Sequence, residues 1–147
     1  MTITFREIEF GSPTFHLARE LRHNVLRAPI GRSFDDEDLT EESTQIHFGL
    51  FVRDVLVGCV IAVPISPKEA KVRQMAVSFE SQGRGYGRQI LEHLESELAQ
   101  RGFAHLWMHA RTTAIGFYEK LAYTRMGPEF VEIGIPHVKM VKCLTRH

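Results

Sequence analysis

The chain has 147 residues, enough for one domain with a substantial buried core. Its composition, 44% hydrophobic and 24% charged, is that of a soluble globular protein rather than a disordered or fibrous one. Its 18 basic residues balance 18 acidic ones, which predicts neither nucleic-acid nor membrane partners.

The two cysteines, Cys59 and Cys143, form no CxxC pair and read as reduced thiols. The opening M-T-I-T-F-R-E-I-E-F has no basic stretch leading into a long apolar one, and no run approaches the ~18 apolar residues of a membrane span. A cytoplasmic protein is expected.

In chain order, residues 2–10 alternate loosely and predict a first strand. Ser12 and Pro13 predict a helix start, cap and first position respectively, and apolar residues at 17, 18, 21, 25 and 26 continue it. Asp35 to Asp38, with Glu41 and Glu42, is acidic and predicts a solvated loop or short helix. Gln45 to Val52 and Leu56 to Val63 predict a hairpin turning at Arg53-Asp54. A strand from Glu69 to Val77 follows. Tyr86, Ile90, Leu91, Leu94 and Leu98 trace one face of a helix that Gly102 terminates. Phe103 to Ala110 predicts a buried strand. Thr112 or Thr113 is expected to cap a further helix with the stripe Ala114, Phe117, Tyr118, Leu121. Two last strands, Tyr123 to Glu132 and Ile135 to Lys142, are separated by Gly134. This order implies an α/β (α+β) domain spanning residues 1–147, with one mixed sheet and helices on its faces.

The stretch S-Q-G-R-G-Y-G-R-Q-I-L, Ser81 to Leu91, lies where strand gives way to helix. It lacks the G-x-x-x-x-G-K-S/T of a P-loop, and Arg88 stands where a dinucleotide fingerprint needs glycine. The physical logic of anion binding is nevertheless present. A helix start offers unpaired N–H donors, and glycines let an anion approach them. Arg84 and Arg88 add positive charge at the rim. By itself the stretch equally suits a plain strand-to-helix turn.

Gln82-x-x-Gly85-x-Gly87 matches the Q/R-x-x-G-x-G/A loop that holds the acyl-CoA pyrophosphate in the GNAT superfamily of N-acetyltransferases. Some thirty residues on, A-I-G-F-Y-E-K-L-A-Y resembles the superfamily's A-x-x-F-Y-x-x-x-G-F/Y helix. The tail E-F-V-E-I-G-I-P-H-V-K-M resembles that of the ElaA-like branch. The resemblance covers residues 45–142. It implies a single GNAT-like domain with a mostly antiparallel sheet of about six or seven strands. It also implies transfer of an acetyl group from acetyl-CoA to a primary amine of a small molecule or peptide, without a metal. A non-catalytic acyl-CoA sensor of the same fold is the alternative. A homodimer is implied by the resemblance only.

Residue by residue, the resemblance implies that the strand ending Met75-Ala76-Val77 splays from its neighbour and binds the pantetheine arm. Main-chain N–H groups of Gln82, Gly83, Arg84, Gly85, Tyr86, Gly87 and Arg88 then surround the pyrophosphate, and Phe117 packs against the CoA arm. Tyr118 stands as general acid for the leaving thiolate, although its spacing alone favours a packed aromatic. Glu132 and His137 stand for the base or for the acceptor pocket, with an ordered water as the other route for the proton. His105 and His109 share a strand face but lie ~13 Å apart at ~3.3 Å per residue, too far to ligate one metal ion. Arg111 replaces the usual asparagine, so that contact is not carried over, and Ala122 replaces the usual glycine. For the acceptor, Arg22, Arg27 and Arg111 argue for a carboxylate-bearing amine, and the acidic run argues for a polyamine or lysine.

Overall fold

A computed structural model describes residues 2–144, the side chain of Asp36 excepted. One seven-stranded sheet runs through it in the order β1-β2-β3-β4-β5-β7-β6. The strands are β1 (Ile3–Ile8), β2 (Ile46–Val52), β3 (Val55–Pro64), β4 (Glu69–Val77), β5 (His105–Arg111), β6 (Thr124–Glu132) and β7 (Ile135–Cys143). Every pairing is antiparallel except β4 with β5, which is parallel. The β2–β3 hairpin turns at Arg53 and Asp54 with φ of 51° and 65°, the left-handed pair of a tight hairpin. Among the described residues no helix is long and apolar enough to cross a membrane.

Helices cover both faces. α1 (Pro13–Leu26) begins as its sequence predicts: Pro13 takes the first position, and Ser12 Oγ accepts the Phe15 N–H at 3.1 Å. It buries Phe15 and Ala18 against Ile8, Cys59 and Ala76. α2 (Tyr86–Gln100) lies on the other face. Its stripe Tyr86, Ile90, Leu91, Leu94, Leu98 packs on Phe48, Val60, Val72, Leu106 and Met140, the larger core. Alternation along β3 explains the division, since Cys59 faces α1 while Val60 and Ala62 face α2. Burial forces the Cys59 thiol up to about 12, which removes it from nucleophilic chemistry.

α3 (Ile115–Glu119) is a short helix following a 3-10 turn over Thr112–Ala114. Neither threonine caps it. The residue at its N-cap is Ala114, whose side chain makes no capping bond, because the intervening turn places the threonines too early. α2 and α3 end in the same way. Phe103 N–H reaches the Leu98 carbonyl and Gly102 N–H the Ala99 carbonyl; Tyr123 N–H reaches Tyr118 and Ala122 N–H reaches Glu119. Both are Schellman closures around a left-handed residue, Gly102 in one and Ala122 (φ 70°) in the other.

The acidic segment is folded into 3-10 turns, Phe34–Asp36 and Thr40–Thr44. It is tied to α1 rather than fully solvated. Arg22 and Glu42 form a two-armed pair at 2.9 and 3.0 Å, and Arg27 holds Glu37 at 2.6 Å.

Candidate active site

The sheet opens in its middle. β4 and β5 are in register only from Glu69 opposite His105 to Lys71 opposite Trp107; beyond that point both strands continue unpaired with each other. A bulge bends β4 at the same place. Between Arg73 opposite Ile61 and Ala76 opposite Cys59, β4 has two residues where β3 has one. One of the two, Gln74, has φ of 50°, a strained conformation for a side chain of this size. Its Oε1 takes a hydrogen bond from Arg22 Nη1, so the buried Arg22–Glu42 pair props the bulge from behind. Its Nε2 is buried without a partner among the described residues.

At the end of β4 a turn over Phe79–Ser81 leads into the glycine loop. Gln82 Nε2 donates to the Val77 carbonyl at 3.0 Å, which fixes the loop to the end of the strand. Gly83 and Gly85 have φ of 79° and 80°, and a Cβ on either would meet nothing within 4 Å. The loop therefore needs glycine for its backbone, and the space above it is clear. Gly85 is the N-cap of α2 and contributes no side chain. The first backbone bond of the helix joins Gln89 N–H to the Gly85 carbonyl, so the N–H groups of Tyr86, Gly87 and Arg88 precede it, the free donors of a helix start. They carry the positive end of the helix dipole. The Tyr86 side chain is buried in the core, leaving only its backbone at the loop. Arg84 is exposed, and Arg88 is exposed beside Glu92.

Gly87 is glycine for a different reason. A Cβ there would lie 3.3 Å from Phe117 Cζ and 3.9 Å from Met75 Cε. The β4 bulge, the α2 start and α3 thus converge on one spot. Phe117 is 38% exposed, an aromatic left partly uncovered beside the cradle. Ala76 is turned away into the α1 core and Val77 packs toward the α2 core, so both offer the gap only main chain.

Tyr118, next to Phe117 and in edge contact with it, is partly buried against the α2 core. Burial pushes its phenol up to about 12, with the nearby Arg111 guanidinium pulling the other way. Arg111 ends β5, and its Nη2 donates to the Leu26 carbonyl at the end of α1. Burial and the Arg27 charge hold its own pKa below the ordinary arginine value.

Glu132 and His137 come together, with a third group. Glu132 Oε1 takes His109 Nδ1 at 3.0 Å, and its Oε2 lies 3.7 Å from His137 Nε2. His137 Nδ1 donates to the Ile135 carbonyl at 2.8 Å, which leaves Nε2 as the free nitrogen facing Glu132. Burial works to raise the Glu132 pKa, but the His109 hydrogen bond and the charges of His109, His137 and Lys71 outweigh it and hold the carboxyl below its usual range. His109 was visible in the sequence only as a strand histidine. Alternation places it with Trp107 and Arg111, but nothing local pairs it with a glutamate 23 residues on. His47 is structural: it is buried and hydrogen-bonded to the Glu42 carbonyl at 2.8 Å. Among the described residues no His, Cys, Asp and Glu group is arranged to hold a metal ion.

A gap between parallel strands, a bulged strand on one side and a glycine-capped helix start on the other mark the centre of this α/β fold. The acetyltransferase (GNAT) domain model matches residues 23–144. A Bacillus subtilis protein provisionally named an acetyltransferase is 33% identical over 131 residues, 86% of this chain and 88% of its own. The chain belongs to the GNAT acetyltransferase family. Escherichia coli ElaA shares the fold with a TM-score of 0.81 at 17% identity, covering 96% of this chain and 99% of ElaA. An aminoglycoside 6'-N-acetyltransferase solved with coenzyme A does so with a TM-score of 0.78 at 18% identity, covering 98% of each chain.

Proposed function

We propose that the protein transfers an acetyl group from acetyl-CoA to a primary amine by direct attack on the thioester. The observation that carries this reading is the convergence of Gly87, Phe117 and Met75 at the point where β4 leaves β5. The free N–H groups at the start of α2 and the left-handed Gly83 and Gly85 suit a pyrophosphate, which a helix N-terminus binds through donors and dipole together. The unpaired edge of β4 beyond Lys71 suits the amides of the pantetheine arm. A thioester threaded along that edge ends beside Tyr118. Coenzyme A bound to the aminoglycoside enzyme of the same fold supports the choice of donor.

In the reaction the amine nitrogen bonds to the thioester carbon, the carbonyl becomes an oxyanion, and the C–S bond then breaks. A main-chain N–H at the Met75 bulge serves the oxyanion. The neutral Tyr118 phenol gives its proton to the departing thiolate, and the proton released by the new amide restores it. An acceptor that arrives as an ammonium, with an ordinary pKa near 10.4, first loses a proton to the Glu132–His109–His137 cluster directly or through water. Holding the two reactants in line supplies most of the rate gain.

Release of free CoA from acetyl-CoA with a panel of primary amines tests this reading. Amine-dependent thiol release, with N-acetylated product by mass spectrometry, supports it. Tight acetyl-CoA binding without turnover on any amine would instead make the protein an acyl-CoA sensor.

A further inference from the structure

We infer that the acceptor amine carries an oxyanion, a carboxylate or a phosphate-like group, and that Arg111 is its recognition element. The inference rests on the reading of the β4–β5 gap as the site of acetyl transfer. Two opposed charge arguments stand in the sequence, the arginines of α1 and the acidic run after it. The structure pairs part of one against part of the other. Arg22 is spent on Glu42 and Arg27 on Glu37, all within one clamp between α1 and the 3-10 turns. Asp38 is occupied by Thr40, whose N–H and hydroxyl it accepts at 3.0 and 2.7 Å.

The charge left at the mouth of the gap is positive. On the face where α1 packs, the strands part beyond Lys71 and Trp107, and Arg111 stands on the β5 lip, whereas the Arg73 guanidinium reaches the other way, to Gln45 just before β2. Among the described residues Arg111 has no carboxylate partner, and its guanidinium donates only to the Leu26 carbonyl. Lys71 and Lys139 lie 5.0 and 4.5 Å from the Trp107 ring and add two further cations to the same shelf. Against these stand two carboxylates. Glu69 is engaged by the Trp107 indole N–H at 2.8 Å, and Glu132 by His109. A polycation would meet the Arg111 charge there, whereas an amine bearing an oxyanion meets its guanidinium donors beside Tyr118. The shared fold with an aminoglycoside acetyltransferase therefore does not extend to a polycationic acceptor.

The test uses the protein saturated with CoA, which binds acceptors without turnover. Four probes are titrated calorimetrically: β-alanine, 2-aminoethylphosphonate, β-alaninamide and spermidine. At least one anionic amine is expected to bind about tenfold or more tightly than the amide and spermidine, and Arg111→Met to remove most of that margin. β-Alanine leading identifies a carboxylate, and the phosphonate leading identifies a phosphate-like group. Equal or tighter binding of the amide or of spermidine overturns the inference, as does no binding by either anionic amine. Arg111→Lys, which keeps the charge but loses the two-armed guanidinium, repeats the test if Arg111→Met does not fold, and is expected to lose part of the margin. A parallel CoA-release assay with acetyl-CoA separates the two readings: transfer without anion preference defeats this one, and anion preference without transfer defeats only the catalytic proposal.

Discussion

Arg22 and Glu42 meet as a two-armed ion pair at 2.9 and 3.0 Å with side chains only 1% and 3% exposed, and the same guanidinium also holds Gln74 at the strained bulge of β4. An internal pair thus stands directly behind the site. Glu42→Gln leaves a buried arginine short of its counter-charge, and removing one partner of such a pair costs about 3–5 kcal/mol. Urea unfolding should show that loss, and the double variant Arg22→Met, Glu42→Leu should recover much of it. A loss under about 1 kcal/mol from the single change would show that the pair is not a structural prop.

Ala122 occupies a left-handed position at the end of α3, where Gly102 occupies its counterpart at the end of α2. A residue with a Cβ costs roughly 1–2 kcal/mol there, and glycine gives part of that back in chain entropy. Ala122→Gly is therefore expected to stabilise the fold by about 0.5–1 kcal/mol, a rise of a few degrees in Tm. A lower Tm would contradict the assignment of Ala122 as a strained cap.

Tyr118 keeps its proton through neutral and mildly alkaline pH, because burial pushes its phenol up to about 12. The rate should climb with pH as the acceptor amine loses its proton, with no decline from Tyr118 below about pH 10. Tyr118→Phe is expected to lower kcat by on the order of 100-fold while leaving acetyl-CoA affinity unchanged. Unchanged kcat, or a fall in affinity with kcat intact, removes Tyr118 from the acid role.

Glu132 is held ionised, since its neighbours outweigh the burial that would raise its pKa. A carboxylate whose folded pKa is depressed contributes stability above its unfolded value of about 4.3, lost as pH falls through the folded pKa. Carbon-13 titration of the Glu132 carboxyl should give a midpoint below the ordinary value in the wild type. The midpoint should move upward in His109→Ala. A wild-type midpoint at or above the ordinary value would show that the His109 contact does not form in solution.

The fold was legible where one periodicity ran for a full element. Alternation marked the hairpin around Arg53-Asp54, and the stripe from Tyr86 to Leu98 marked α2. The 3-10 turns before α3 and at Phe79–Ser81 were not, because three residues are too few to show a period. The glycine loop announced itself, though not the left-handed backbone of Gly83 and Gly85. The Glu132–His109 contact did not, because β7 lies between β5 and β6 and the two side chains reach across it. The bulge at Gln74 left no mark either: it depends on how β4 registers with β3, and a register is a property of two strands. The acidic run read as solvated because its partners, Arg22 and Arg27, sit on a helix whose orientation only the packed structure fixes.

Amide chemical shifts on adding acetyl-CoA test the placement of the donor most directly. The shifts are expected to concentrate at residues 75–77 and 83–88, the bulged strand end and the start of α2, with no comparable response to NAD or ATP. Saturating acetyl-CoA that leaves the amides of Gly83, Gly85 and Gly87 unmoved, or shifts a different face of the sheet, would contradict it.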